Sequence, residues 1–180
     1  MTRSGPPRAA PAGGWTLLEA ITAMVVLATL ASLALPAGQQ LLDRQRAASA
    51  RHLVSSHLAF ARLAAIQHHA EISMCPSSDG VRCSGDPSGW AQGWIIRPTR
   101  AGAATEATVL RHQQLDYPPG WHIQSSIGRA HIRYLADGRA LGTNLQLKIC
   151  SGDHLWGKVV VNNSGRIRSE RLEQAGGCLP

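Results

Sequence analysis

The sequence predicts an α+β fold: a long N-terminal α-helix, membrane-spanning in its first half, packed on a C-terminal antiparallel β-sandwich-like domain. Three observations predict it. No residue from Ala20 to Gly38 carries a charge, and Met24–Leu27 with Leu30–Leu35 make an apolar helix long enough to cross a bilayer core. Ala47, Ala50, Val54, Leu58, Ala61 and Ala65 then recur at steps of three and four, the pattern of a helix that buries one side. From Glu71 onward the period shortens, and alternating runs are broken by turn residues roughly every ten positions.

The elements follow in order. Residues 1–14 form a leader in which Pro6, Pro7 and Pro11 exclude regular structure. One helix runs from about Thr16 to His69, apolar all round over 15–38 and amphipathic over 39–70, with Arg44, Arg46, Arg51 and Arg62 off the apolar stripe. Residues 71–180 suffice for one compact domain. Its strands are expected at Ile72–Cys75, Gly93–Ile96, Ala107–Leu110, Trp121–Gln124, Ile132–Leu135, Leu145–Cys150 and Lys158–Val161, with a loop at Pro76–Gly89 and turns at Asp137-Gly138 and Asn163-Ser164-Gly165. The last turn leads into Arg166-Ile167-Arg168-Ser169, while Ser151 and His154 read as part of a turn.

Composition narrows the chemistry. The formal net charge is +7, and only Lys148 and Lys158 among the basic residues are lysines. Arginine suits bidentate phosphate contacts, although an Ala- and Arg-rich composition also follows from a GC-rich genome. The four cysteines, Cys75, Cys83, Cys150 and Cys178, read as disulfides in an exported domain. Three pairings are possible, and short-range closure favours Cys75 with Cys83 and Cys150 with Cys178. A zinc site is disfavoured because no C-x2-C pair is present. No H-E-x-x-H, G-x-S-x-G or P-loop occurs, His68-His69 point apart on a helix, and His52 with His57 are poorly spaced for one face. The sequence therefore argues against an enzyme and implies no cofactor.

Glu19 is the anomaly, a carboxylate at the mouth of an apolar helix. Left unpaired in lipid it costs at least about 2.5–3.5 kcal/mol, so it asks for a cationic partner. Cleavage between Gly14 and Trp15 would create an amine one helical turn from Glu19, able to reach the Glu19 of a neighbouring subunit. A short basic leader ending in Gly14, an aromatic Trp15, Glu19 at the fifth mature position and Pro36 within the following helix resemble the signal of type IV pilins and type II secretion pseudopilins. Trp15 stands where that family usually has Phe. A cleaved secretory signal is the competing reading, with small residues at Ala34-Leu35-Pro36-Ala37-Gly38, but Glu19 inside the apolar region argues against it. The resemblance implies cleavage by a prepilin peptidase, N-methylation of Trp15 and Glu19 as the docking acid for other pilins or pseudopilins. It also implies a single-pass precursor in the inner membrane of a Gram-negative bacterium, later found in a periplasmic or cell-surface filament.

The second half resembles the GspH/FimT domain through Trp90-Ala91-Gln92-Gly93-Trp94, Tyr134-Leu135-Ala136-Asp137-Gly138-Arg139, a strand ending in Cys150, and Gly165-Arg166-Ile167-Arg168 ahead of Cys178. In an extended segment Arg166 and Arg168 share a face at a spacing of roughly 7 Å, with Ile167 turned inward. Two guanidiniums at that spacing suit a nucleic-acid backbone. In FimT-type minor pilins a Gly-Arg-x-Arg motif of this form is associated with DNA binding and natural transformation. Lys158 and Arg171 are added as candidates by proximity. The resemblance thus implies a minor pilin whose partners include DNA; the alternative is a GspH-like pseudopilin or pilus-priming subunit with a purely structural role. A basic strand kept soluble by its arginines remains the plainer account of the motif, and Glu170 and Glu173 weaken its field.

Overall fold

The structure is a computed structural model that describes residues 16–99, 108–142 and 144–178. The chain divides into two compact units, Met1–Leu42 and Asp43–Pro180.

Helix α1, Leu17–Gln67, runs through the boundary between them. In the first unit its side chains are exposed, Leu17 by 80%, Met24 by 71% and Leu33 by 74%. Their chemistry calls for lipid or another helix. The few polar groups here are satisfied locally: the hydroxyls of Thr22, Thr29 and Ser32 each donate to the carbonyl three residues back, at 2.9, 2.8 and 2.8 Å. From Leu17 to Leu35 the helix extends about 28 Å, close to the hydrocarbon thickness of a bilayer. Pro36 lies inside α1, where it has no N–H to offer the Ser32 carbonyl.

In the second unit the remainder of α1 buries Ala47, Ala50, Val54, Leu58, Ala61 and Ala65, the stripe read from the sequence, together with His57 and Ala64. Five of these eight are Ala, which lets the helix backbone come close to the strands. Among the described residues, eight strands form two antiparallel four-stranded sheets. The first contains β1 (Ile72–Pro76), β2 (Gly93–Pro98), β3 (Arg111–Gln114) and β5 (Ile132–Tyr134) in the order β3-β2-β1-β5. The second contains β4 (Trp121–Ser125), β6 (Leu145–Ser151), β7 (His154–Val161) and β8 (Ile167–Gln174) in the order β4-β6-β7-β8. Alternation turns Ile72, Met74, Ile96 and Tyr134 of one sheet, and Ile123, Leu147, Ile149 and Val159 of the other, into one core with the helix stripe. Within it the indole N–H of Trp94 donates to Nδ1 of buried His57 at 2.8 Å.

Three expectations need correction. The strand placed at Ala107–Leu110 is instead Arg111–Gln114; Ala107 lies outside the described residues, and Thr108–Leu110 only lead in. β3 is an edge strand held by backbone pairing to β2, and its largely exposed side chains give it no apolar signature. His154 opens β7, so the turn is confined to Gly152 and Asp153. The final strand continues to Gln174, well past Ser169. Its charged residues carry no hydrophobic alternation, yet it pairs with β7 along most of its length.

Disulfides join Cys75 to Cys83 and Cys150 to Cys178, with Cα separations of 5.5 and 6.1 Å. The first closes the loop after β1, where Asp79 accepts the N–H groups of Val81 and Arg82 at 2.8 Å each. Those bonds pull its carboxyl down to about 2. The second ties the C-terminal segment to β6. Lys148 Nζ donates to the Gly177 carbonyl at 3.1 Å, and Gln124 Nε2 to that of Cys178 at 3.2 Å.

Candidate functional site

Asn162 and Gly165 set the entry to β8. Gly165 N–H donates to the Asn162 carbonyl at 2.9 Å, and Arg166 N–H to Asn162 Oδ1 at 2.9 Å. Gly165 has φ +77°, the left-handed region, and a Cβ there would overlap the carbonyl oxygen of Gly138. That carbonyl already accepts from Arg62 Nε of α1 at 2.9 Å. Arg62 Nη2 also reaches the Ser164 carbonyl at 3.5 Å. The Gly of the Gly-Arg-x-Arg segment therefore locks two turns together under a helix guanidinium, which fixes where the strand begins.

The register of β7 with β8 decides where the arginines go. Val161 opposes Ile167 and is buried in the core, so Ile167 packs inward. Val160 opposes Arg168, which turns away from the core. Arg166 and Arg168 are both exposed, and neither guanidinium has a hydrogen-bond or ion-pair partner among the described residues. The two added candidates differ. Lys158 Nζ lies 3.1 Å from Glu170 directly across the ladder, and Arg171 Nη2 lies 2.6 Å from Glu173, which also pairs with Arg44 at 3.3 Å. Hydrogen bonding from Arg171 is the first cause holding the Glu173 carboxyl below its usual range. Charge at Lys158 and Arg171 is thus largely answered within the protein.

At the other end of the chain, Thr16 Oγ1 accepts the N–H of Glu19 at 3.3 Å. Thr16-Leu17-Leu18-Glu19 has the spacing of a capping box, a signal the reading of Glu19 missed, and an acid in a first helical turn also suits the helix dipole. Glu19 is exposed and its carboxylate accepts no hydrogen bond among the described residues. Gly14 and Trp15 lie outside the described residues. His122, Cys150 and Cys178 bring donor atoms within 4.8 Å of one another, but both sulfurs are spent in the disulfide and offer no thiolate.

A long N-terminal helix, apolar first and amphipathic after, with its second half packed on two antiparallel sheets, defines the class of pilin-type subunits. The family profile of Type II transport protein GspH matches residues 49–165, and the chain belongs to that family of minor pilins and pseudopilins. Crystal structures of the type IV minor pilin FimU of Pseudomonas aeruginosa share the fold. One matches with a TM-score of 0.57 at 19% identity, covering 74% of this chain and 97% of that one. A second crystal form gives 0.53 at 20% identity, covering 71% and 98%. The minor pseudopilin EpsH of the Vibrio cholerae type 2 secretion system is more distant, with a TM-score of 0.42 at 14% identity over 69% and 96%. No curated protein matches the sequence.

Proposed function

We propose that this chain is a FimT-like minor type IV pilin that assembles into a pilus and binds extracellular DNA through its C-terminal region for uptake in natural transformation. The observation that carries the reading is the pair Arg166 and Arg168, exposed and unpartnered among the described residues at the start of a strand that Gly165 and Arg62 hold in place. Guanidiniums with no internal carboxylate are available to phosphate oxygens, whereas those of ion pairs must first give up a partner. Contact with two phosphates gives binding that is weak, indifferent to sequence and sensitive to salt. Before assembly the precursor is a single-pass protein of the inner membrane. A prepilin peptidase cuts after Gly14, Trp15 is N-methylated, and Glu19 docks the subunit onto other pilins. The protein acts as a structural and binding subunit and catalyses nothing.

The family match favours a second reading, a GspH-like pseudopilin or pilus-priming subunit that contacts only other subunits. Cells carrying Arg166→Gln with Arg168→Gln separate the two. Under the first reading they assemble normal filaments and lose DNA uptake. Unchanged uptake at normal protein levels supports the structural subunit.

A further inference from the structure

The outer face of the second sheet gathers three metal-ligating side chains that the sequence scatters widely. On β4, His122 and Gln124 lie two apart and turn away from the core, and across the ladder they oppose Cys150 and Lys148 of β6. The C-terminal segment lies over this face. Lys148 Nζ and Gln124 Nε2 hold the carbonyls of Gly177 and Cys178, and the Cys178 N–H donates to the Asp153 carbonyl at 3.4 Å. Cys150 is fully buried, Cys178 nearly so, and Leu155 and Leu172 pack with them. Register and packing thus bring a ring nitrogen of His122 and the two sulfurs within 4.8 Å of one another.

Three features suit this cluster to a metal ion once the sulfurs are thiols. His122 Nδ1 lies 3.3 Å from the Gly120 carbonyl oxygen, and donation to that oxygen leaves Nε2 with the lone pair, the second contact that metal-ligating histidines commonly make. The three hydrogen bonds on Gly177 and Cys178 hold the segment against the sheet independently of the S–S bond, so reduction leaves Cys178 beside Cys150. Around one zinc ion, with bonds of about 2.3 Å to sulfur and about 2.0 Å to nitrogen, ligand atoms stand about 3.5–3.8 Å apart, a spacing that small side-chain rotations reach from here. The other disulfide has no such neighbour: among the described residues no His, Asp or Glu joins Cys75 and Cys83 in a group of this kind.

We infer that His122, Cys150 and Cys178 form a thiol-gated site for a thiophilic metal ion, zinc or copper(I), closed by the disulfide and opened by its reduction. A dithiol reductant gives two electrons and two protons to the Cys150–Cys178 bond and becomes a disulfide itself, leaving two thiols. The ion then binds as both thiols release their protons, with neutral His122 as the third donor. Two thiolates and an imidazole are soft and borderline donors, which select zinc and copper(I) over calcium and magnesium. Leu155 and Leu172 give the site an apolar surround. Disulfide and metal use the same sulfur electrons and exclude each other, so a chain that meets the ion before it is oxidised keeps its thiols. The site stands apart from the DNA reading of Arg166 and Arg168 and does not depend on it.

The test reduces the full chain in neutral detergent with a phosphine, removes the phosphine without air, and titrates cobalt(II) as a spectroscopic probe, then zinc and copper(I) against chromogenic chelators. The expected result is one ion per reduced chain, with thiolate-to-cobalt charge-transfer bands, and no such bands from the oxidised chain. Bound zinc or copper(I) should shield Cys150 and Cys178 from alkylation, read by peptide mapping, while Cys75 and Cys83 react. His122→Gln should weaken binding at least about tenfold, and His131→Gln, on the other sheet's side of the fold, should leave it unchanged. Thermal melts identify any variant that fails to fold, and the alkylation map of the wild type assigns the ligands without a variant. The chelator competition shows which of the two ions is held more tightly. Absence of binding by the reduced chain, equal binding by the oxidised chain, alkylation of all four cysteines in the presence of either ion, or full affinity in folded His122→Gln overturns the proposal.

Discussion

Replacing Gly165 with Ala tests whether the turn before β8 is built as described. Two costs follow from the structure. At φ +77° an L-residue pays about 1–2 kcal/mol for left-handed backbone. The added Cβ also meets the Gly138 carbonyl and comes within 3.1 Å of Arg62 Nε. Relieving that overlap breaks the Arg62 hydrogen bond to Gly138, and bonds from charged donors are worth about 1.5–3 kcal/mol. Together these give about 3–4 kcal/mol, a large share of a domain stability of about 5–15 kcal/mol. Gly152→Ala is the matched control, since its φ is +58° and nothing lies within 4 Å of a Cβ there. It should lose only the backbone term. By thermal melting of the unit Asp43–Pro180, Gly165→Ala should fall by about 10 °C and Gly152→Ala by about 4 °C. If the two variants melt together, the locking of the two turns is wrong.

Three further outcomes are expected. Removing the Cys150–Cys178 disulfide by paired alanines should cost about 3.5 kcal/mol, against about 2.5 kcal/mol for Cys75–Cys83, because they span 28 and 8 residues; urea unfolding that reverses the order contradicts this. Burial, and secondarily the charge of Arg111, lowers the His57 pKa below 6.5, so over the window just beneath that value the unfolded chain binds a proton that the folded one refuses. Stability should therefore fall as pH drops below about 6.5, and His57→Gln, which can still accept the Trp94 N–H, should flatten that fall in urea midpoints measured from pH 7 to 5. Glu19→Ala should leave the precursor in the membrane but abolish its recovery in sheared filaments, and the mature wild-type N-terminus should be methylated Trp15 by mass spectrometry.

Much of the fold is legible because single elements carry their own signal. The alanine stripe from Ala47 to Ala65 names the buried face of α1, and the alternation in Leu145–Cys150 names a strand with one face in the core. β3 and the far half of β8 are not legible, since an exposed edge strand owes its place to backbone pairing with a neighbour. The candidate site divides the same way. Spacing alone puts Arg166 and Arg168 on one side of Ile167. The pairing of Lys158 with Glu170 depends on the β7–β8 register, and the meeting of Gly138, Gly165 and Arg62 depends on packing between distant segments.

Those ion pairs change a number that can be measured. With Arg166, Arg168 and one more cation free, the salt dependence of duplex DNA binding would have a log-log slope near −3. With Lys158 and Arg171 held by Glu170 and Glu173, two cations remain and the slope should be about −2. The decisive measurement is therefore duplex DNA binding by the unit Asp43–Pro180 across a salt series, beside its Arg166→Gln, Arg168→Gln double variant. Binding with a slope of about −2 that disappears in the folded double variant is the result predicted for a DNA-catching pilin. Undetectable binding by the wild type at low salt, or equal binding by both proteins, contradicts that account.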